Sequence, residues 1–239
     1  NGQAVRTPAD IALRLEHQAG QQVRIDYRRD GRARSTVAVP VTMERDAQLR
    51  YSDWVQSRRE RVEQAGGGRI GYLHLYAMGP NDIAGFAREF YANIDREGLV
   101  IDVRRNRGGN IDSWVLGTLL RRAWAFWAPP GSAPYWNMQQ SFRGHLVVLA
   151  DELTYSDGET FSAGIKALGL GPVIGQRTAG AGVWLSDSNR LVDRGVMRAA
   201  QTAQFDPQGR WLIEGLGVAP DIAVENLPHA TWKGGDAQL

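Results

Sequence analysis

A chain of 239 residues, 43% hydrophobic and 23% charged, has the make-up of a soluble globular protein with room for one large domain or a large and a small one. Its net charge of +2, with basic residues scattered rather than striped, gives no electrostatic footprint for nucleic acid. Without cysteine there are no disulfides, thiolate nucleophiles or cysteine-ligated metals, and no apolar run approaches the roughly 20 residues of a membrane span.

The chain opens on Asn1-Gly2, without Met, and stops after Trp232 with no terminal motif, so it is expected to be a piece of a longer protein. Pro8, Asp10, Ile11, Leu13 and Leu15 predict a short helix ending by Gly20. Residues 23–27 and 35–41 alternate as strands around the turn residues Arg29, Asp30 and Gly31. Turn, helix and hairpin resemble the second half of a PDZ domain, so residues 1–41 are expected to be a partial PDZ-like domain. Residues 42–68, arginine-rich and closed by Gly66, Gly67 and Gly68, read as a solvated linker with a helical portion.

From residue 69 the pattern changes to alternating strands and helices, the mark of an α/β domain. Strands are expected at 70–76, 99–103, 146–150, 173–175 and 211–214, and helices at 82–94, 113–123 and from Ser156 towards Gly169. Residues 129–140 read as a loop, and 185–204 as short strands and turns. The aromatic group Trp124, Phe126 and Trp127 reads as core rather than pocket.

Two stretches carry candidate chemistry. The run LVVLA, residues 146–150, leads into a polar corner at Ser156, Asp157 and Gly158 and then a helix. Ser156 with Glu159 fits a capping box, and on that pattern alone capping is the commoner role of such a serine. A tight turn after a buried strand is also how a nucleophilic hydroxyl is presented, although G-x-S-x-G is absent. The second stretch, Asn106, Arg107, Gly108 and Gly109, follows the strand at 99–103. Paired glycines let a backbone turn its N–H groups towards a ligand. Both stretches fall at the C-terminal ends of expected parallel strands, where open α/β sheets build their sites. One glycine N–H and that of Asp157 suffice for a two-donor oxyanion hole.

The sequences LVIDVRRNRGGN, DELTYSDGETFSAGIKALGLGPVIGQRTAGAG and WLIEGLGVAPDIAVENLPHAT together resemble the core of a tricorn-type serine peptidase, in the superfamily that includes the C-terminal processing peptidases. The resemblance covers residues 69–239 and implies a crotonase/ClpP-like catalytic domain behind the partial PDZ-like piece. It implies that Ser156 is the nucleophile, that Asp157 and Gly108 or Gly109 supply the oxyanion hole, and that Glu214 is the acid of a Ser-His-Glu arrangement. The sister branch uses a lysine in a T-x-G-K-G setting. Here Thr178, Ala179, Gly180, Ala181 and Gly182 put alanine in that place, so a Ser–Lys dyad is rejected. In the tricorn type the histidine lies upstream of the PDZ domain. Of His17, His74, His145 and His229 none is a convincing base and His74 is the least poor, so the chain alone is expected to be inactive or nearly so.

The resemblance further implies peptide substrates, a homo-oligomer and a cytoplasmic setting with export still open; no cofactor, metal, nucleic acid or membrane is expected. Two rivals stay open: a non-catalytic peptide-binding member, and an acyl-CoA enzyme of the related crotonase fold.

Overall fold

In the computed structural model, which describes residues 1–239, the first helix starts where the sequence caps it. Thr7 Oγ1 accepts the Asp10 N–H while the Asp10 carboxylate accepts the Thr7 N–H, and Pro8 fills the first turn of α1 (Pro8–Leu15). β1 (Val23–Arg29) and β2 (Arg32–Ala38) form an antiparallel hairpin. Its two-residue turn puts Asp30 and Gly31 at positive φ (54° and 73°), the geometry that an Asp-Gly pair favours.

The stretch read as a partly helical linker is one continuous helix, α2 (Met43–Ala65). Of its residues only Val62 is buried, so no apolar stripe announces it; local pairs such as Arg50 Nε to Asp46 at 2.7 Å support it instead. The three glycines end it. Gly66 and Gly68 donate to the carbonyls of Val62 and Glu63, and Gly67 and Gly68 take positive φ. The chain divides into two compact units, Asn1–Ser57 and Arg58–Leu239.

The second unit is built on a five-stranded parallel sheet. β3 (Ile70–His74) leads through a 3₁₀ turn, Pro80–Asp82, to α3 (Ile83–Ala92) and then β4 (Gly98–Asp102). After α4 (Asp112–Leu119) a small hairpin, β5 (Phe126–Trp127) and β6 (Tyr135–Trp136), precedes β7 (His145–Ala150). α5 (Asp157–Ala167) and β8 (Val173–Gly175) follow. β9 (Trp184–Leu185) pairs with β10 (Ala200–Thr202), and β11 (Ile222–Ala223) and α6 (Pro228–Trp232) complete the chain. The sheet order is β11-β8-β7-β4-β3. The central strands are nearly continuous apolar runs because helices and loops cover them, and α4 packs against α5. Leu73, Phe86, Phe90, Ile101, Val115, Val148, Phe161 and Ile165 form the heart of the core.

Two expectations fail. Residues 211–214 are not a strand: only an isolated bridge joins Trp211 to Phe205, and Ile213 then turns sharply at φ 68°. The aromatic group is not core either. Trp124, Phe126 and Trp127 are exposed, and the hairpin that carries two of them pairs with part of the expected loop at 129–140.

Candidate active site

The parallel registers bring the ends of β4 and β7 side by side, with Asp102 opposite Leu149. The loops leaving these ends are bonded together at once: Thr154 Oγ1 donates to the Val103 carbonyl (2.9 Å) and the Tyr155 N–H to that of Asn106 (3.1 Å). Ser156 comes next, with φ 58° and ψ −124°. A side chain at positive φ costs on the order of 1–3 kcal/mol unless its surroundings enforce it. Strained strand-to-helix turns of this kind push a serine hydroxyl clear of the backbone. That hydroxyl makes no cap hydrogen bond; the Ser156 N–H is held by the Glu159 carboxylate at 3.1 Å, and the Glu159 N–H goes to the Ser156 carbonyl.

The glycine turn lies directly against this serine. A Cβ added at Gly108 would sit 2.6 Å from Ser156 Cβ and 2.9 Å from its Oγ, and one at Gly109 would strike the Met78 carbonyl. Asn106, fully buried, shapes the turn: its amide donates to the Leu75 carbonyl and its Oδ1 accepts the Gly108 N–H at 2.8 Å. Gly108 is therefore occupied. The N–H groups of Gly109 and Asp157 are taken by no acceptor of the chain, which distinguishes the two glycines that sequence leaves equivalent.

A buried carboxylate supports the other side. Glu159 accepts from Thr178 Oγ1 and from the N–H groups of Gly180 (2.7 Å) and Ala181 (2.8 Å) as well as Ser156. The same loop continues to Gly182 and Val183, whose N–H groups donate to Glu214 Oε2 at 2.8 and 3.0 Å. Glu214 is thus tied to the Ser156 corner through residues 178–183; it is solvent-exposed, on a turn where Gly215 donates back to the Gly180 carbonyl.

Charges cluster beneath and beside the turn. The buried Asp102 is clasped by Arg104 through several bonds, the shortest 2.6 Å, and accepts the Tyr72 hydroxyl at 2.8 Å. Burial alone would raise its carboxyl; the neighbouring His74 and the Arg104 guanidinium outweigh burial and hold it well below the usual carboxylate range. The side chain of His74 is buried, with Nδ1 3.7 Å from Asp102. His145 opens β7 at the end opposite Ser156, about 17 Å from the far end at strand rise. His17 and His229 are exposed, and no histidine bonds the Ser156 hydroxyl. Lys166 lies ten residues along from Ser156, about 15 Å at helical rise. There it donates to the Ala219 carbonyl and pairs with Asp221 at 2.9 Å. Asp112 does not pair with an arginine. It stands beside Asp157, whose carboxyl is pushed up to about 7 by burial and by the hydrogen bond and charge of Asp112. No cluster of His, Asp and Glu is arranged to hold a metal.

Glu159 meets its expected capping role only through the Ser156 N–H, which its carboxylate accepts. Its hold on residues 178–181, and that of Asn106 on Leu75, carry no local signal because the partners lie elsewhere in the chain.

Residues 69–224 match the family model described as peptidase family S41. The chain is 37% identical over 238 residues to tricorn protease homolog 1 of Streptomyces coelicolor and 31% identical over 241 residues to the tricorn protease of Thermoplasma acidophilum. Each alignment covers all of this chain and 22% of the relative, so the chain spans about a fifth of those proteins' length. A crystal structure of the tricorn protease superposes with a TM-score of 0.82 at 31% identity, covering 95% of this chain and 22% of that one. The mixed α/β architecture around a parallel sheet is therefore that of the tricorn protease core, and the chain belongs to peptidase family S41.

Proposed function

We propose that residues 69–239 are the catalytic core of a serine peptidase that cleaves peptides through an acyl-enzyme. The observation that carries this reading is the strained Ser156 corner, with its hydroxyl free of the cap and two unclaimed N–H groups, of Gly109 and Asp157, on the loops beside it. In this reading Ser156 Oγ attacks the scissile carbonyl. As the carbonyl oxygen becomes an oxyanion it accepts from both N–H groups, each worth roughly 2.7–4 kcal/mol to the transition state. The proton passes to a histidine from outside residues 1–239, then to the leaving amine, and water releases the acyl group by the same path reversed. Glu214, exposed and with Oε2 fixed by two N–H groups, orients that histidine.

Peptide substrates, a homo-oligomer, a cytoplasmic setting and a PDZ-like role for residues 1–41 belong to the same proposal. No helix is long and apolar enough to cross a membrane. Membership of a peptidase family does not favour the acyl-CoA reading.

In the full-length protein, Ser156→Ala is expected to abolish both cleavage of a chromogenic peptide and labelling by a fluorophosphonate. Cleavage retained in that variant would overturn the nucleophile. Wild-type full-length protein that neither cleaves nor labels would favour the non-catalytic peptide-binding reading.

A further inference from the structure

The two N–H groups assigned to the oxyanion hole come from segments far apart in sequence, one on an irregular loop and one at the start of α5. Their usefulness depends on a fixed separation, since preorganised donors stabilise charge without reorganising. The upstream side of the Gly109 turn is well held. Gly108 accepts from the Met78 N–H, Asn110 donates to the Met78 carbonyl (2.8 Å each), and Gly108 donates to Asn106. On the downstream side Ile111 packs in the core, and the hydrogen bonds that cross to α5 come from one side chain. Asp157 turns its carboxylate back across the gap, and Oδ2 accepts the N–H groups of Ile111 at 2.8 Å and Asp112 at 3.0 Å, the first two residues of the α4 turn.

One residue thus contributes to the site twice. Its N–H is a proposed oxyanion donor, and its carboxyl grips the chain two residues beyond the other donor. Asp157 is almost fully buried, so its carboxyl depends on these bonds, and without it the Ile111 N–H would lose its acceptor in a buried setting. Burial and the neighbouring Asp112 raise the Asp157 carboxyl.

We propose that the Asp157 side chain is a positioning group for the oxyanion hole, fixing the Gly109 turn to the helix that starts at the nucleophile. This rests on the serine-peptidase reading above and deepens it.

The test uses the full-length protein and a chromogenic peptide, with kcat and KM measured separately for Asp157→Ala, Asp157→Asn and Ser156→Ala. Ala removes the grip and keeps the residue's own N–H, so kcat is expected to fall about 100-fold with KM changed by no more than about 2-fold, the signature of an interaction made only in the transition state. Asn keeps an oxygen that accepts both N–H bonds and is expected to restore kcat to within about 5-fold of wild type, which a loss of packing alone would not predict. Amide hydrogen exchange at Ile111 and Asp112 should quicken in the Ala variant and not in the Asn variant; this readout needs no activity. If Ala does not fold, Asp157→Ser, too short to reach Ile111, replaces it in the same comparison.

The inference is overturned if the truncated variant keeps wild-type kcat, if KM rises in step with the fall in kcat, or if Asn is as impaired as Ala. Loss of activity in Ser156→Ala alongside any of these leaves the nucleophile standing and removes only the positioning role. Activity retained in Ser156→Ala removes the reading beneath it.

Discussion

At the scale of single residues, the site is governed by where backbone N–H groups find acceptors. Four donors converge on Glu159 and two on Glu214, so the carboxylates order loops while the Ser156 hydroxyl is left unengaged. Asp157 is the unusual case, because its neighbour Asp112 carries the same charge. Burial and then Asp112 raise the Asp157 carboxyl to about 7, against the donors Ile111 and Asp112, which pull it down. The carboxyl of Glu159, on the same helix, is turned to the 178–181 loop and does not join this pair. Since the folded value lies above the unfolded one, the folded state holds the extra proton. The stability it gives is complete below about pH 4 and is lost as pH rises through about 7. Urea midpoints should therefore fall between pH 5 and pH 8 in the wild type. Asp112→Asn removes the like charge and should flatten that fall, and an unchanged slope in this variant would assign the titration elsewhere.

At the scale of elements, the same neighbours decide what sequence could reveal. Residues 146–150 followed by a polar corner predict β7 and α5 well, because an apolar run and a helix start are both local signals. Gly108 and Gly109 are readable as a turn for the same reason, but which of them offers its N–H depends on Asn106, and that is a matter of folded geometry. The expected strand at 211–214 fails because Glu214 is committed to N–H groups at 182–183, some thirty residues upstream, and Ile213 must turn to bring it there. Helix α2 is hidden by the opposite circumstance, having almost no buried face to impose a period. The end of β4 shows how far a local pair can matter. Asp102 is held below the ordinary carboxylate range, so its stabilisation is present above the unfolded value near 4 and is lost as pH falls towards the folded value. Asp102→Asn leaves the buried Arg104 without this charge and should cost about 3–5 kcal/mol at pH 7. The gap to wild type should narrow in acid, measured as urea midpoints from pH 7 down to pH 3. A gap independent of pH would mean that Asp102 acts by shape rather than charge.

At the scale of the second unit, the segment after α6 returns to the core beside the glycine turn. Arg104 spans the junction, with Nη2 on Asp102 at one end of the network and Nη1 on Asp236 (2.7 Å) and Gln238 (3.1 Å) at the other. Asn226 grips the same two side chains at 3.0 Å and accepts the Ala237 N–H, while Arg58, from α2, reaches Asp236 at 3.2 Å. Asp236 is therefore a buried charge shared by two arginines and an amide, set where the first helix of the unit, the end of β4 and the last residues of the chain meet. Arg104 also lies at the start of the loop that carries Gly109, so disorder here would spread to the Gly108-Gly109 turn. Replacing Asp236 with Ala takes from the buried Arg104 one of its two carboxylate partners and leaves it Asp102, and breaking a buried pair costs about 3–5 kcal/mol. For a unit of this size each kcal/mol is worth roughly 2–4 °C, so the melting temperature should drop by roughly 6–20 °C. Asp236→Asn keeps an oxygen for Arg104 and loses only the charge, and it should fall between wild type and Ala. Calorimetry of the three proteins decides the matter: a fall under about 2 °C for Ala would mean that the C-terminal segment rests on the unit without bracing it.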